Sequence, residues 1–177
     1  MYAPETIHSW YSTLSTIMKY AALDRHIPVS LIGKGTVILP GKGLDARVFL
    51  PRPARGLLGI VATQMPYWYP MIKLVSETGL RWGEAAGFPV GNLDLGRGSV
   101  LVEQSLKLDG RGSWTIGLPK GGRKRRLGLD SETVEILRTH LTSHPSPFTL
   151  MGGRAHQLAF LNPDGRPLDR SNFRRDV

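Results

Sequence analysis

Two short stretches concentrate side chains suited to holding a phosphate. In LVSETGLRWGEAAGF, residues 74–88, an apolar helical run ends at Gly79, Arg81 follows within two residues, and Glu84 stands one helical turn further on. An arginine at a fixed backbone corner projects a planar fork that can grip two phosphate oxygens at once, which the point charge of lysine does less well. Glu84 is spaced to orient Arg81 or to cap a short helix starting there. The plainer alternative is a surface ion pair for Arg81 with Trp82 packed as core. The second stretch is PKGGRKRR, residues 119–126, in which Lys120 enters a glycine turn and Arg123, Lys124, Arg125 and Arg126 follow without a break. A narrow tip carrying such charge can reach into a groove and hold a phosphate backbone. Its alternative is a solvated basic turn.

The rest of the chain narrows the choice. The 177 residues carry 23 Lys plus Arg against 14 Asp plus Glu, a net charge of +9 and a pI near 10.3, so the summed field favours a polyanionic partner. There is no cysteine, which rules out disulfides and thiolate metal sites within these residues and is compatible with an intracellular address. The longest apolar runs, such as LLGIVA at 57–62, are far too short to span a bilayer. The histidines His8, His26, His140, His144 and His156 show neither HExxH nor another paired ligand spacing and read as surface or interface side chains, so no metal is expected. The glycine-rich pieces do not form GxxxxGK[ST], so no nucleotide phosphate loop is expected either.

The elements that must position these residues follow from periodicity. Apolar side chains from Ile7 to Ala22 recur at helical spacing and predict an amphipathic helix over 4–25, started by Pro4. Residues 30–53 hold neither period and are rich in Gly and Pro, the composition of a linker. Two helices are expected over 54–64 and 67–79, divided by Pro66, with Gly79 as the stop. β-rich runs at 99–106, 113–118 and 124–129 predict a three-stranded antiparallel meander with turns near Asp109-Gly110 and Gly121-Gly122. Asp130 is the expected N-cap of a helix over SETVEILRTHL. Asn162-Pro163-Asp164-Gly165 is a turn, and Ser171 is the expected cap of a helix entering NFRRDV. The fold class is α+β.

Three linked segments, TGLRWGEAAGFPVGNLDLGRGSVLVEQSL, GLPKGGRKRRLGLDSETVEILRTHL and FLNPDGRPLDRSNFRR, resemble in order and spacing the catalytic domain of tyrosine recombinases of the phage integrase type. The likeness covers roughly 54–177, and the first helix is similar to the end of the helical core-binding domain that precedes it. It implies a division into 1–29 from the core-binding domain, a linker over 30–53, and a mainly helical catalytic domain with a three-stranded sheet over 54–177. Arg81 then falls on the arginine that clamps the scissile phosphate, Glu84 on its accompanying acid, and Lys120 on the lysine that donates a proton to the leaving 5′ oxygen. Lys107, Arg123, Lys124, Arg125, Arg126, Arg174 and Arg175 are the expected DNA-contacting cations, and Arg81, Lys120 and the start of 171–176 are expected to share one concave face.

The pattern implies double-stranded DNA as partner, with a full-length integrase or further protomers beside it, a cytoplasmic, nucleoid-associated location in a bacterial cell, and no cofactor. The His-x-x-Arg box and following tyrosine do not occur in these residues, and the five tyrosines all precede Arg81. The resemblance therefore implies a C-terminally truncated catalytic domain: a DNA-binding fragment of an integrase, inactive by itself. The alternatives are a non-catalytic DNA-binding protein or regulator derived from an integrase and, lacking any stacking platform, a basic RNA-associated protein.

Overall fold

The computed structural model describes residues 2–32, 37–41, 51–109, 112–171 and 173, without the side chains of 51–53. The chain divides into two compact units, Met1–Phe49 and Leu50–Val177.

In the first unit the apolar repeat forms α1 (Pro4–Leu23), opened by Pro4 in the first turn, where its missing N–H costs nothing. His8 Nε2 donates to the Pro40 carbonyl at 2.8 Å, and Tyr2 meets Trp10 edge to face. No residue of α1 is buried; Trp10, Leu14, Ile17 and Tyr20 all stand exposed.

The second unit begins with α2 (Pro51–Gln64), whose start lies in the stretch read as linker, and continues into α3 (Tyr69–Thr78). Gly79 ends α3 in the left-handed region at φ 64°, its N–H bonded to the Val75 carbonyl, as an αL stop requires. Two residues later the short α4 (Trp82–Ala86) starts, so Arg81 sits on a corner between two helices.

Strands form in the three runs that periodicity marks, joined by others at 93–94, 148–151 and 154–157 that it does not, and their pairing differs from a meander. The run at 99–106 breaks after Val102 into β2 (Ser99–Val102) and β3 (Ser105–Leu108). β1 (Leu93–Asp94), β2 and β5 (Arg125–Gly128) make one three-stranded antiparallel sheet, with Val100 opposite Leu127 and Val102 opposite Arg125. β3 pairs instead with β4 (Trp114–Gly117) in a separate hairpin. PKGGRKRR is therefore not a hairpin tip; its first six residues belong to the connection that carries the chain from the β3–β4 hairpin to the edge of the other sheet, and its last two begin β5. The break has a visible cause: Gln104 turns out of the ladder and its Nε2 donates to the Gly87 carbonyl at 2.7 Å, tying the hairpin to the end of α4.

Asp130 caps α5 (Ser131–Ser143), accepting from the Thr133 N–H at 2.6 Å, while its own N–H donates to Glu77 on α3. Lys73 of α3 reaches Glu132 at 2.6 Å and Asp130 at 3.8 Å, so the cap also joins the two helices. Asp130→Ala is expected to lower stability by about 1 kcal/mol, read from urea unfolding, because the cap bond and one arm of this junction go together.

A further hairpin, β6 (Phe148–Met151) with β7 (Arg154–Gln157), turns through Gly152 and Gly153 at φ 57° and 75°. Beyond it Leu158, Ala159, Phe160 and Leu161 run through the core with Leu74, Phe88, Val100 and Leu137, the Ala159 N–H bonding the Phe88 carbonyl. The turn at 162–165 closes on a Gly165 N–H to Asn162 carbonyl bond. The helical turn after it is capped by Asp169, which accepts from the Ser171 N–H through Oδ1 and from the Phe173 N–H through its carbonyl, rather than by Ser171 itself. Phe173 packs edge to face on Trp68 and tilts against Trp82.

Candidate functional site

The corner that carries Arg81 is fixed by close backbone packing. α4 lies on β3 through Gly83 and Gly87: a Cβ at Gly83 would stand 2.7 Å from the Leu106 carbonyl oxygen, and one at Gly87 2.5 Å from the Leu106 nitrogen. Only glycine admits that approach. It places Glu84, on the same short helix, fully inside the protein with its side chain 1% exposed.

A buried carboxylate must be compensated, and Glu84 accepts four hydrogen bonds. Its Oε2 takes the Arg81 N–H at 3.0 Å and Arg125 Nη2 at 2.6 Å; its Oε1 takes Arg125 Nη1 at 3.1 Å and Arg81 Nη1 at 3.3 Å. Arg125 thus grips both oxygens in a fork, while Arg81 makes one longer side-chain bond and leaves 57% of its side chain in solvent. The Arg125 fork, followed by the Arg81 backbone and side-chain bonds, holds the Glu84 carboxyl down to about 2 against the opposing effect of burial. The same ion pair raises the Arg125 guanidinium.

Lys120 comes to the site from the connection between the sheets. Gly122 N–H bonds the Pro119 carbonyl at 2.9 Å and Gly121 has φ 85°, which makes Pro119–Gly122 a type II turn with Lys120 at its leading corner and the side chain exposed. Arg81 and Lys120 line two adjoining clefts. One, of about 640 Å3, is completed by Glu84, Ser105, Lys107 and the 118–122 backbone. The other, of about 450 Å3, is completed by Thr78, Gly79, Arg123 and Arg125. Neither is lined by a described residue from 170 onward; of the 171–176 segment expected on this face, residues 172 and 174–176 lie outside the described residues.

The cations of PKGGRKRR separate by strand geometry. Arg125 points inward to Glu84, and Lys124 pairs with Glu103 at 2.8 Å. Arg126 faces the other side of the sheet, donating to Ser99 Oγ and lining a small depression with Asn92 and Asp94. Arg123 stays exposed beside Lys120 and Arg81. Lys107 is exposed on β3, its side chain lying over Gly117. Arg174 and Arg175 lie outside the described residues. Reading the run as a uniform patch missed this sorting, although the period of two in a strand is enough to send Arg125 opposite to its neighbours.

The histidines also differ from the surface reading in one case. His140 is buried, its Nε2–H donating to the Ala159 carbonyl at 3.1 Å, with burial lowering its pKa, and it stacks on exposed His144. Among the described residues no group of three or more His, Asp or Glu is placed to hold a metal ion. None of the described helices is long and apolar enough to cross a membrane. Neither tyrosine of the second unit, Tyr67 or Tyr69, lines either cleft, and Tyr67 donates its hydroxyl to the Leu161 carbonyl.

No curated protein matches the sequence significantly. Among solved structures, the Tn1549 transposon integrase in complex with a circular intermediate DNA is similar at 20% identity and a TM-score of 0.79, over 97% of this chain and 56% of that one. The same integrase in complex with transposon right end DNA gives 18% identity and 0.78, over 98% and 58%. XerA recombinase gives 16% identity and 0.53, over 99% and 60%. The chain thus spans somewhat over half the length of these solved relatives, and at this identity the likeness establishes the fold. The model of the phage integrase family matches residues 55–177, which include α3, α4, both clefts and every described cation discussed above. With that match over more than half its length, the chain belongs to the phage integrase family.

Proposed function

We propose that residues 54–177 bind duplex DNA and hold a backbone phosphate against Arg81 and Lys120, as the phosphate-clamping part of a tyrosine recombinase site. The observation that carries this reading is the shared cleft: two cations from distant parts of the chain converge there, and the one carboxylate beside them among the described residues, Glu84, is already neutralised by Arg125. A phosphoryl transition state spreads negative charge over its oxygens, and preorganised cations stabilise it without reorganising at the moment of reaction. On the family's pattern Arg81 clamps the scissile phosphate and Lys120 protonates the leaving oxygen. The DNA complexes of the Tn1549 integrase support a duplex partner, and a nucleoid-associated protein follows from that partner. The structural likeness extends over α1 as well, which supports assigning 1–29 to a core-binding domain and 30–53 to a linker.

Binding should report backbone contacts. Replacing Lys107, Lys120 and Arg123 together by alanine is expected to weaken duplex binding across sequences and to flatten the dependence of log K on log salt by up to about 2.7 units, roughly 0.9 per lost contact. Lys124→Ala, which removes a cation already paired with Glu103, is expected to change the slope much less. An unchanged slope in the triple variant would return these residues to the solvated-turn reading.

Chemistry by these 177 residues alone is a separate matter. With all five tyrosines ahead of Arg81, and neither Tyr67 nor Tyr69 in the clefts, the chain is expected to bind a nicked suicide duplex without forming a covalent adduct, read by denaturing electrophoresis. Phosphodiester cleavage without an in-line nucleophile is too slow to detect on that timescale. An adduct at any of these tyrosines would overturn this part of the proposal and leave the phosphate clamp standing.

A further inference from the structure

We propose that Arg125 is a positioning residue for the clamp: through the buried Glu84 carboxylate it fixes the corner from which Arg81 reaches a phosphate, and it does not itself contact the DNA. The inference rests on the phosphate site proposed above and assigns a role within it that neither family membership nor the clefts specify.

The geometry separates the two arginines. Glu84 has two oxygens and two guanidinium groups within reach, and the shortest bond, at 2.6 Å, goes to Arg125. Arg125 presents both Nη atoms to the carboxylate, whereas Arg81 spends one Nη at 3.3 Å and keeps the rest of its fork toward the clefts. The side chains are 57% exposed for Arg81 and 31% for Arg125. Without Arg125, Glu84 would be an uncompensated buried anion and would draw the Arg81 fork onto itself, in the geometry arginine and carboxylate prefer. The same anion would repel a phosphate entering the cleft. Arg125 removes both effects by occupying the carboxylate.

It also links the two sides of the site. Arg125 begins β5, directly after the connection that carries Lys120, and stands opposite Val102 of β2. Its bond to Glu84 therefore ties the end of that connection to α4, so the corner of Arg81 and the turn of Lys120 are referenced to one buried group.

A double-mutant cycle in DNA binding tests this, using a fluorescein-labelled duplex oligonucleotide at low salt and temperatures at which each variant keeps the wild-type circular dichroism spectrum. Arg81→Ala is expected to weaken binding about tenfold, the loss of one charge-assisted contact. Arg125→Ala is expected to weaken it by a similar factor in the wild-type background and by less than about twofold when Arg81 is already alanine, since it acts through that side chain. Additive losses, about a hundredfold in the double variant, would show Arg125 contacting DNA independently and overturn the proposal, as would an Arg125→Ala protein with wild-type affinity. Should Arg125→Ala not fold, Arg125→Lys carries the same cycle. It keeps the charge but not the fork, so loss of most of the affinity supports positioning and wild-type affinity overturns it. If Arg81→Ala itself leaves binding unchanged, the phosphate clamp fails, and that result is distinct from failure of the relay.

Discussion

Gly87→Ala is expected to destabilise the 50–177 unit by about 3 kcal/mol, one of the largest effects of any single methyl group added to this protein. A Cβ at that position would lie 2.5 Å from the Leu106 nitrogen, 2.9 Å from the Leu106 Cβ and 3.0 Å from the Gly83 carbonyl oxygen. Two of these three atoms are backbone, so no change of rotamer relieves the overlap, and α4 must lift away from β3. Gly83→Ala should behave alike, being 2.6 Å from Ser105 Oγ and 2.7 Å from the Leu106 carbonyl oxygen. Because α4 carries Arg81 and Glu84 and β3 carries Lys107, the displacement widens the first cleft and should weaken duplex binding along with stability. Gly59→Ala on α2 is the control: nothing lies within 4 Å of its added Cβ, and the exchange is expected to stabilise by about 0.5–1 kcal/mol through helix propensity. Urea unfolding of the three variants reads both signs. A Gly87→Ala protein as stable as wild type would mean that α4 does not bear on β3 in solution.

The glycines of WGEAAG illustrate what the sequence leaves unread. Gly79 is legible as a stop and Asp130 as a cap because each acts on backbone groups within four residues of itself, and local signals carry local hydrogen bonds. Gly83 and Gly87 are required by a strand some twenty residues away, and no local pattern names that strand. The pairing of β5 with β2 across β3 and β4 is non-local in the same sense. A continuous β-rich run at 99–106 conceals that Gln104 leaves the ladder to bond α4.

Other features were present in the sequence and not used. Gly152-Gly153 between FTLM and RAHQ has the form of a two-residue hairpin turn, and both glycines do take positive φ. His140 stands three residues beyond Leu137 on the apolar face of α5, which places it inside. The alternation of Arg125 and Arg126 along β5 separates an inward from an outward cation, whereas a count of charge treats them as one patch. What makes Arg125 a structural cation is Glu84, forty-one residues earlier, and that pairing appears only in three dimensions.

Removing the charge of Glu84 while keeping its shape should then cost more than any other conservative change at the site. Glu84→Gln leaves the Arg125 guanidinium partly buried against an amide that can accept with one oxygen only, and turns an amide N–H toward a donor. Breaking one side of a buried ion pair in this way costs about 3–5 kcal/mol, a large share of the stability of an ordinary domain. The depressed carboxyl follows from the same bonds. Its folded value near 2 against an ordinary 4.5 corresponds to stabilisation on the order of 3 kcal/mol, fully present above about pH 4.5 and lost as pH falls toward 2, since the unfolded chain takes up the proton first. The difference in unfolding free energy between wild type and Glu84→Gln is therefore expected to be largest at neutral pH and to shrink between pH 4.5 and 2. Adding Arg125→Met to Glu84→Gln removes both partners and should restore much of the lost stability at pH 7, because no buried charge is left unpaired. It should not restore DNA binding, as Arg81 loses the carboxylate that holds its backbone N–H. Equal stability of Glu84→Gln and wild type at pH 7, or a difference that does not narrow in acid, would mean that the carboxylate is solvated and that Arg81 is held by something else.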